Sequence, residues 1–200
     1  MAGFAGIAAA GRTIERLLNA AFDEEQPIPG LGPRTRAVLV RTADFEPAVV
    51  ATNIGSPALS IFVYRVDFNK TMRAAWSGVG THDGRGHLAV DLHLLLTAWA
   101  DNAEFELRIL GRAMQAIETT PILNGPLLDP STDWAPNESV QLVLEDISTE
   151  AVMRTFDSLP TDYRLSVPYI ARILRIDSRV ARTEGFVTTL VVGTVPEPRP

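Results

Sequence analysis

The sequence predicts an α+β fold in a single domain, with a mixed β-sheet flanked by helices. Two segments, residues 3–22 and 103–119, carry apolar side chains at helical spacing. Three long segments, residues 59–68, 88–99 and 162–176, alternate in polarity or are dense in β-branched and aromatic residues. Helices and strands interleave along the chain, and no internal repeat or low-complexity run divides it. Residues 1–176 are expected to form the domain. Residues 177–200 are expected to be an extension with one more strand at most and then a tail.

Each element has a local cause. In the first helix Phe4, Ile7, Ile14, Leu17, Leu18 and Phe22 form one stripe, with Arg12, Glu15, Arg16 and Asn19 mostly between them. Asp23, Glu24 and Glu25 with Pro27 and Pro29 end it, and acids at that end oppose the helix dipole, so fraying is expected. A loop of Pro29, Gly30, Leu31, Gly32 and Pro33 follows, then a short strand over residues 36–41. In the strand over 88–99, Leu88, Val90, Leu92, Leu94 and Leu96 take one face, while Asp91, His93, Leu95, Thr97 and Trp99 take the other. The helix over 103–119 is stopped by Pro121, and residues 125–137 make a proline-rich connection. A strand over 140–145 precedes a short helix capped by Ser148. Within the strand over 162–176, Pro168 removes a ladder donor, which places that strand at an edge or at a bulge. Residues 186–192 are a further β-branched run, and the tail containing Pro196, Pro198 and Pro200 has no expected fixed structure.

Composition narrows function. The chain has 200 residues, enough to bury roughly 70% of its unfolded surface without metal or disulfide support. It has no cysteine, which excludes thiol catalysis, cysteine-ligated clusters and disulfides, and fits a reducing compartment. No stretch reaches the roughly 18 apolar residues of a membrane span. The amino terminus lacks the basic region of a signal peptide, so no export by that route is expected. A net charge of −6 argues against nucleic-acid binding. Every basic residue except Lys70 is arginine. Arg164, Arg172, Arg175, Arg179 and Arg182 face a single acid, Asp177, over residues 163–182, a cationic stretch in an acidic protein. Arginine pairs with carboxylates through a planar fork and is enriched at protein interfaces.

No catalytic or cofactor motif is complete. His82, His87 and His93 are the best metal candidates, and His87, Asp91 and His93 share strand parity. His87 and His93 would nevertheless stand roughly 20 Å apart on an extended strand, too far for one ion. Gly78, Gly80, Gly84 and Gly86 sit in a loop without the Gly-Lys-Ser/Thr ending of a phosphate loop, and a strand follows where a dinucleotide site needs a helix. The pairs Asp44/Glu46, Glu104/Glu106 and Asp129/Asp133 show no acid–base spacing. No metal, cofactor or catalytic residue is expected. Trp76, beside the glycine-rich loop, is the candidate aromatic anchor of a protein interface, with Arg164, Arg172, Arg175 and Arg179 as candidate charged contacts.

Four segments carry a family resemblance. They are residues 57–66 (PALSIFVYRV) with Asn69 and Arg73 behind them, and residues 88–97 (LAVDLHLLLT). The third is 110–117 (LGRAMQAI) followed by Pro121, Ile122 and Leu123, and the fourth is 163–169 (YRLSVPY) behind the short helix at 147–152. In this order the chain resembles the cap, or tail-terminator, proteins of extracellular contractile injection systems of the virulence-cassette and antifeeding-prophage type, over roughly residues 3–176. Lys70, Ala74 and Leu94 depart from residues common in that family. The resemblance implies a phage tail-terminator-like fold and a non-enzymatic subunit of a hexameric ring. Such a ring closes the distal end of the inner tube and contractile sheath. The implied partners are sister copies, tube subunits and sheath subunits, with assembly in the bacterial cytoplasm and final residence in the particle. The alternative is a small adaptor or chaperone of another bacterial assembly.

Overall fold

The computed structural model describes residues 3–30, 32–72 and 85–181. The chain forms α1 (Gly6–Glu24), β1 (Arg36–Val40), a 3-10 turn (Thr42–Phe45), α2 (Val50–Asn53), β2 (Ala58–Phe68) and β3 (Arg85–Trp99). It continues through α3 (Ala103–Thr119), β4 (Ile122–Asn124), β5 (Ser139–Leu144), α4 (Thr149–Asp157) and β6 (Ser166–Ala181). Among the described residues these strands form one sheet in the order β1-β2-β3-β6-β5-β4. Only β1 and β2 are parallel; the other pairs are antiparallel, so the sheet is mixed as expected.

One face of the sheet is covered by α1 and α3. Ile14, Leu18 and Phe22 of α1 and Ile109, Leu110, Ala113 and Ile117 of α3 pack on Leu59, Ile61, Leu92, Leu94, Leu96 and Tyr169. The C-terminal end of α1 is tied to the middle of α3 by Arg112, whose guanidinium donates to the Ala21 carbonyl at 3.0 Å and pairs with Glu24 at 3.0 Å. That cation satisfies a C-terminal carbonyl of α1 and offsets the acids there, and the helix runs to Glu24. Gly11 admits a close approach: a Cβ there would meet Leu39 Cδ2 at 3.0 Å. The other face carries a smaller apolar cluster in which Phe45, Ile54, Val152, Phe156 and Leu159 cover Phe62, Leu95 and Trp99.

The polarity split of β3 holds: Val90, Leu92, Leu94 and Leu96 belong to the α1/α3 core, while Leu95 and Trp99 belong to the second cluster. Ser148 caps α4 by accepting from the Ala151 amide, as its position predicts. Asn102 caps α3 in the same way, through the Phe105 amide.

Three expectations change. Strand β6 is not at an edge but lies between β3 and β5, and its register shifts against β3 fall between Ala171 and Leu174 and between Asp177 and Ala181, not at Pro168. Pro168 is tolerated because its carbonyl, and hence its missing N–H, faces the β5 side where that strand stops: the Glu145 amide closes the ladder onto the Pro168 carbonyl. The strand also runs to Ala181, beyond the expected end at Ile176, and a bulge between Ala171 and Leu174 carries the apolar row across a change of parity. Strand β4, three residues long, lies between the helix stop at Pro121 and the expected connection over 125–137, where no element was expected. The run at 186–192 lies outside the described residues.

Candidate protein-interaction site

Among the described arginines of the cationic stretch, Arg164 and Arg175 are taken up by acids of the same chain. Arg164 lies over the Trp99 ring, 4.3 Å from its centroid, and pairs with Glu106 of α3 at 3.3 Å. Arg175 donates to Asp177 at 2.6 Å, beside His87, whose Nδ1 is 2.5 Å from the same carboxylate oxygen. Burial pushes the Asp177 carboxyl up, but the hydrogen bonds from Arg175 and His87 outweigh it and hold it below the ordinary carboxylate range. Arg172 is exposed and has no ion-pair partner among the described residues. Arg179 is placed on β6, while Trp76 and all but the last two residues of the 77–86 loop lie outside the described residues.

His93 sits in a buried polar network on the second face. Its Nδ1 is 2.7 Å from Glu145 Oε1, and its Nε2 is 3.4 Å from Asp67. The Tyr64 hydroxyl donates to Glu145 Oε2 at 2.8 Å, and Arg65 reaches both Asp67 at 3.0 Å and Glu145 at 3.5 Å. A register shift between Val63 and Arg65 explains how two consecutive residues join one network. A bulge puts Tyr64 and Arg65 on the same face, opposite His93. Burial, then the hydrogen bond to Glu145 and its charge, pushes the Tyr64 hydroxyl well above its ordinary value. Asp91 is held separately by the Asn69 amide at 3.0 Å.

Among the described residues no group of His, Asp or Glu is placed to hold a metal ion. One member of each of two carboxylate pairs holds local structure. Asp44 accepts from the Arg41 amide and from Asn53, closing the turn after β1. Asp129 accepts from Ser131 and Arg12 and, through its own amide, binds Thr13 of α1 at 2.8 Å. The Ser131 hydroxyl is the largest cause of a lowered Asp129 carboxyl, working against burial with help from Arg12.

A groove that sequence reasoning missed crosses the end of the sheet where β3 finishes. It consists of adjoining clefts of about 260 and 250 Å³ that share Ser56, Ala100 and Asp101. One cleft runs between the proline-bearing loop before β1 and Phe105, with Arg34 on its rim. The other reaches Trp99 and Arg164. Its sequence signal was the pair of turns, Pro29 to Pro33 and Gly55 to Pro57, which the sheet order brings together although more than twenty residues separate them. No helix among the described residues is long and apolar enough to cross a membrane.

Two solved structures share this fold along nearly the whole chain. The cryo-EM structure of the sheath/tube terminator of an extracellular contractile injection system termed PVC, in its extended state, aligns with a TM-score of 0.50 and 17% identity over 94% of this chain and 64% of that chain. The tube-terminating cap of the anti-feeding prophage aligns with a TM-score of 0.53 and 19% identity over 92% of this chain and 60% of that chain. The chain therefore spans less than two thirds of the length of either. No curated protein sequence matches it. Residues 9–189 match the Pvc16 N-terminal domain, which embraces both helical layers and the whole described sheet, and the chain belongs to that family.

Proposed function

We propose that the chain is a terminator subunit of a contractile injection system, six copies of which close into a ring over the distal end of the inner tube and its sheath. The observation that carries this reading is the correspondence of fold, along more than nine tenths of the chain, with a sheath/tube terminator and a tube-terminating cap. The arrangement of polar groups favours docking over turnover. The described histidines, His87 and His93, are both tied into carboxylate contacts, and Asp44 and Asp129 hold a turn and a loop-to-helix contact in place. A closed ring requires two different patches that fit each other, and the exposed Arg172 on an acidic protein is one contribution to such a fit.

The test is assembly. Particles produced without the chain should carry tubes and sheaths of uncontrolled length, and supplying it should restore a uniform end. In solution with tube or sheath ends, its mass should rise from 21.7 kDa to that of six copies. A chain that stays monomeric and does not sediment with either component overturns the proposal. Trp76→Ala, or deletion of residues 77–86, should weaken ring formation while leaving the folded monomer intact; an unchanged ring in the deletion removes that segment from the interface.

A further inference from the structure

We propose that the groove at the end of the sheet receives residues 196–200, Pro-Glu-Pro-Arg-Pro, of a second copy of the chain. The proposal deepens the ring reading, on which it rests for the presence of a neighbour. The groove suits an extended, proline-rich segment. Ile28, Pro29, Pro33, Pro57 and Phe105 give it apolar and ring-bearing walls. Prolines in an extended helix lose little freedom on docking against such walls, and the conformation has no internal hydrogen bonds to break.

Charge selects this segment. Asp101 is exposed and shared by both clefts of the groove, and among the described residues its carboxylate accepts only from the Ser56 hydroxyl, at 3.3 Å. Arg34 stands on the rim, paired at 3.2 Å with the equally exposed Asp23, a contact that water and salt weaken and a better partner replaces. Glu197 and Arg199 flank Pro198 with the opposite signs. Arg199 meets Asp101 and Glu197 meets Arg34 in this arrangement, with the prolines against the apolar walls.

Distance selects a neighbour over the same chain. The groove lies just past Trp99 at one end of β3, whereas β6 ends at Ala181 opposite Arg85, at the other end of β3. Fifteen residues of strand separate the two points, roughly 50 Å. The segment from 182 to 196 is no longer than β3, so it reaches its own groove only when drawn out almost straight. A neighbour placed head to tail brings the second groove closer, and the contact has the two unlike patches that a closed ring uses.

The absence of cysteine makes the test clean. Gly32→Cys places a thiol at the groove where a Cβ meets nothing within 4 Å, and Pro198→Cys places one in the segment. The two variants, one isotopically labelled, are mixed in the presence of tube ends and oxidised. The expected result is a mixed disulfide dimer well above the statistical proportion. Asp101→Arg in the groove variant should cut its yield by about five-fold or more, and Arg199→Asp in the other should restore it. Statistical pairing in rings of normal mass, or closure within one chain in the doubly substituted protein, overturns the docking and leaves the ring standing. If the unmodified chain forms no ring at all, both fall.

Discussion

The two faces of the sheet are built on different principles. The α1/α3 face is a continuous apolar layer in which Leu92, Leu94 and Leu96 are essentially inaccessible. Among the described residues the second face carries a smaller apolar cluster around Phe45, Phe62 and Trp99 and, beside it, an ion network open at Arg65 and Asp67, each about half exposed. A layer that exchanges all its water for packing sets stability. A face that keeps charges at its surface retains the means to recognise another molecule. The same sheet thus serves as a core on one side and presents a polar surface on the other.

The sharpest way to break this contrast is to remove packing from the first face. Leu94→Ala should cost about 2–5 kcal/mol in chemical denaturation, through lost burial and the cavity left behind. A cost below about 1 kcal/mol would mean that the layer is not tightly packed. Next in size, Glu145→Ala on the second face should cost about 1–3 kcal/mol, because the Tyr64 hydroxyl and His93 lose their shared partner. Glu145→Gln, which keeps an acceptor, should cost less, and equal losses would discount the network.

The pH limbs separate the faces. Asp129, bonded to α1, has a depressed carboxyl, so its contribution is fully present above the ordinary value of 3.8 and is lost as pH falls through the lowered one. Asp129→Asn should flatten the acid limb of a stability profile. Tyr64 on the second face is raised, so its contribution is intact below its ordinary value of 10 and declines as pH climbs beyond that. Tyr64→Phe should flatten the alkaline limb and leave the acid limb alone. The smallest effect has the opposite sign. The Tyr169 hydroxyl is buried without a hydrogen-bond partner among the described residues, so Tyr169→Phe should be neutral or stabilising by up to about 1 kcal/mol. A clear loss of stability would reveal a partner for that hydroxyl.

Much of the fold was legible because periodicity is a local property. The helix over Ala103–Thr119 needed only its stripe and Pro121, and the two-faced pattern of β3 needed only alternation. What failed depended on neighbours. Pro168 implied an edge, but an interior strand accommodates it where β5 has already ended. The bulges at Tyr64 and beyond Ala171 leave no mark in composition, yet they decide which side chains meet. The arginine run promised a cationic surface. Glu106 and Trp99 take up Arg164, and Asp177 takes up Arg175, leaving Arg172 exposed. The groove was hidden because its walls come from turns distant in sequence.

The position of β6 has a consequence for how the molecule is made. It is the seam between two half-sheets, β1-β2-β3 on one side and β5-β4 on the other, and these do not pair with each other directly. During synthesis both halves emerge before the strand that joins them, so neither can complete its hydrogen bonding until residues 166–181 have left the ribosome. A chain released before residue 166 would therefore lack the strand that joins the two halves. Among the described strands β6 is the last to be translated, so the two halves of the sheet are joined only at the end of that order.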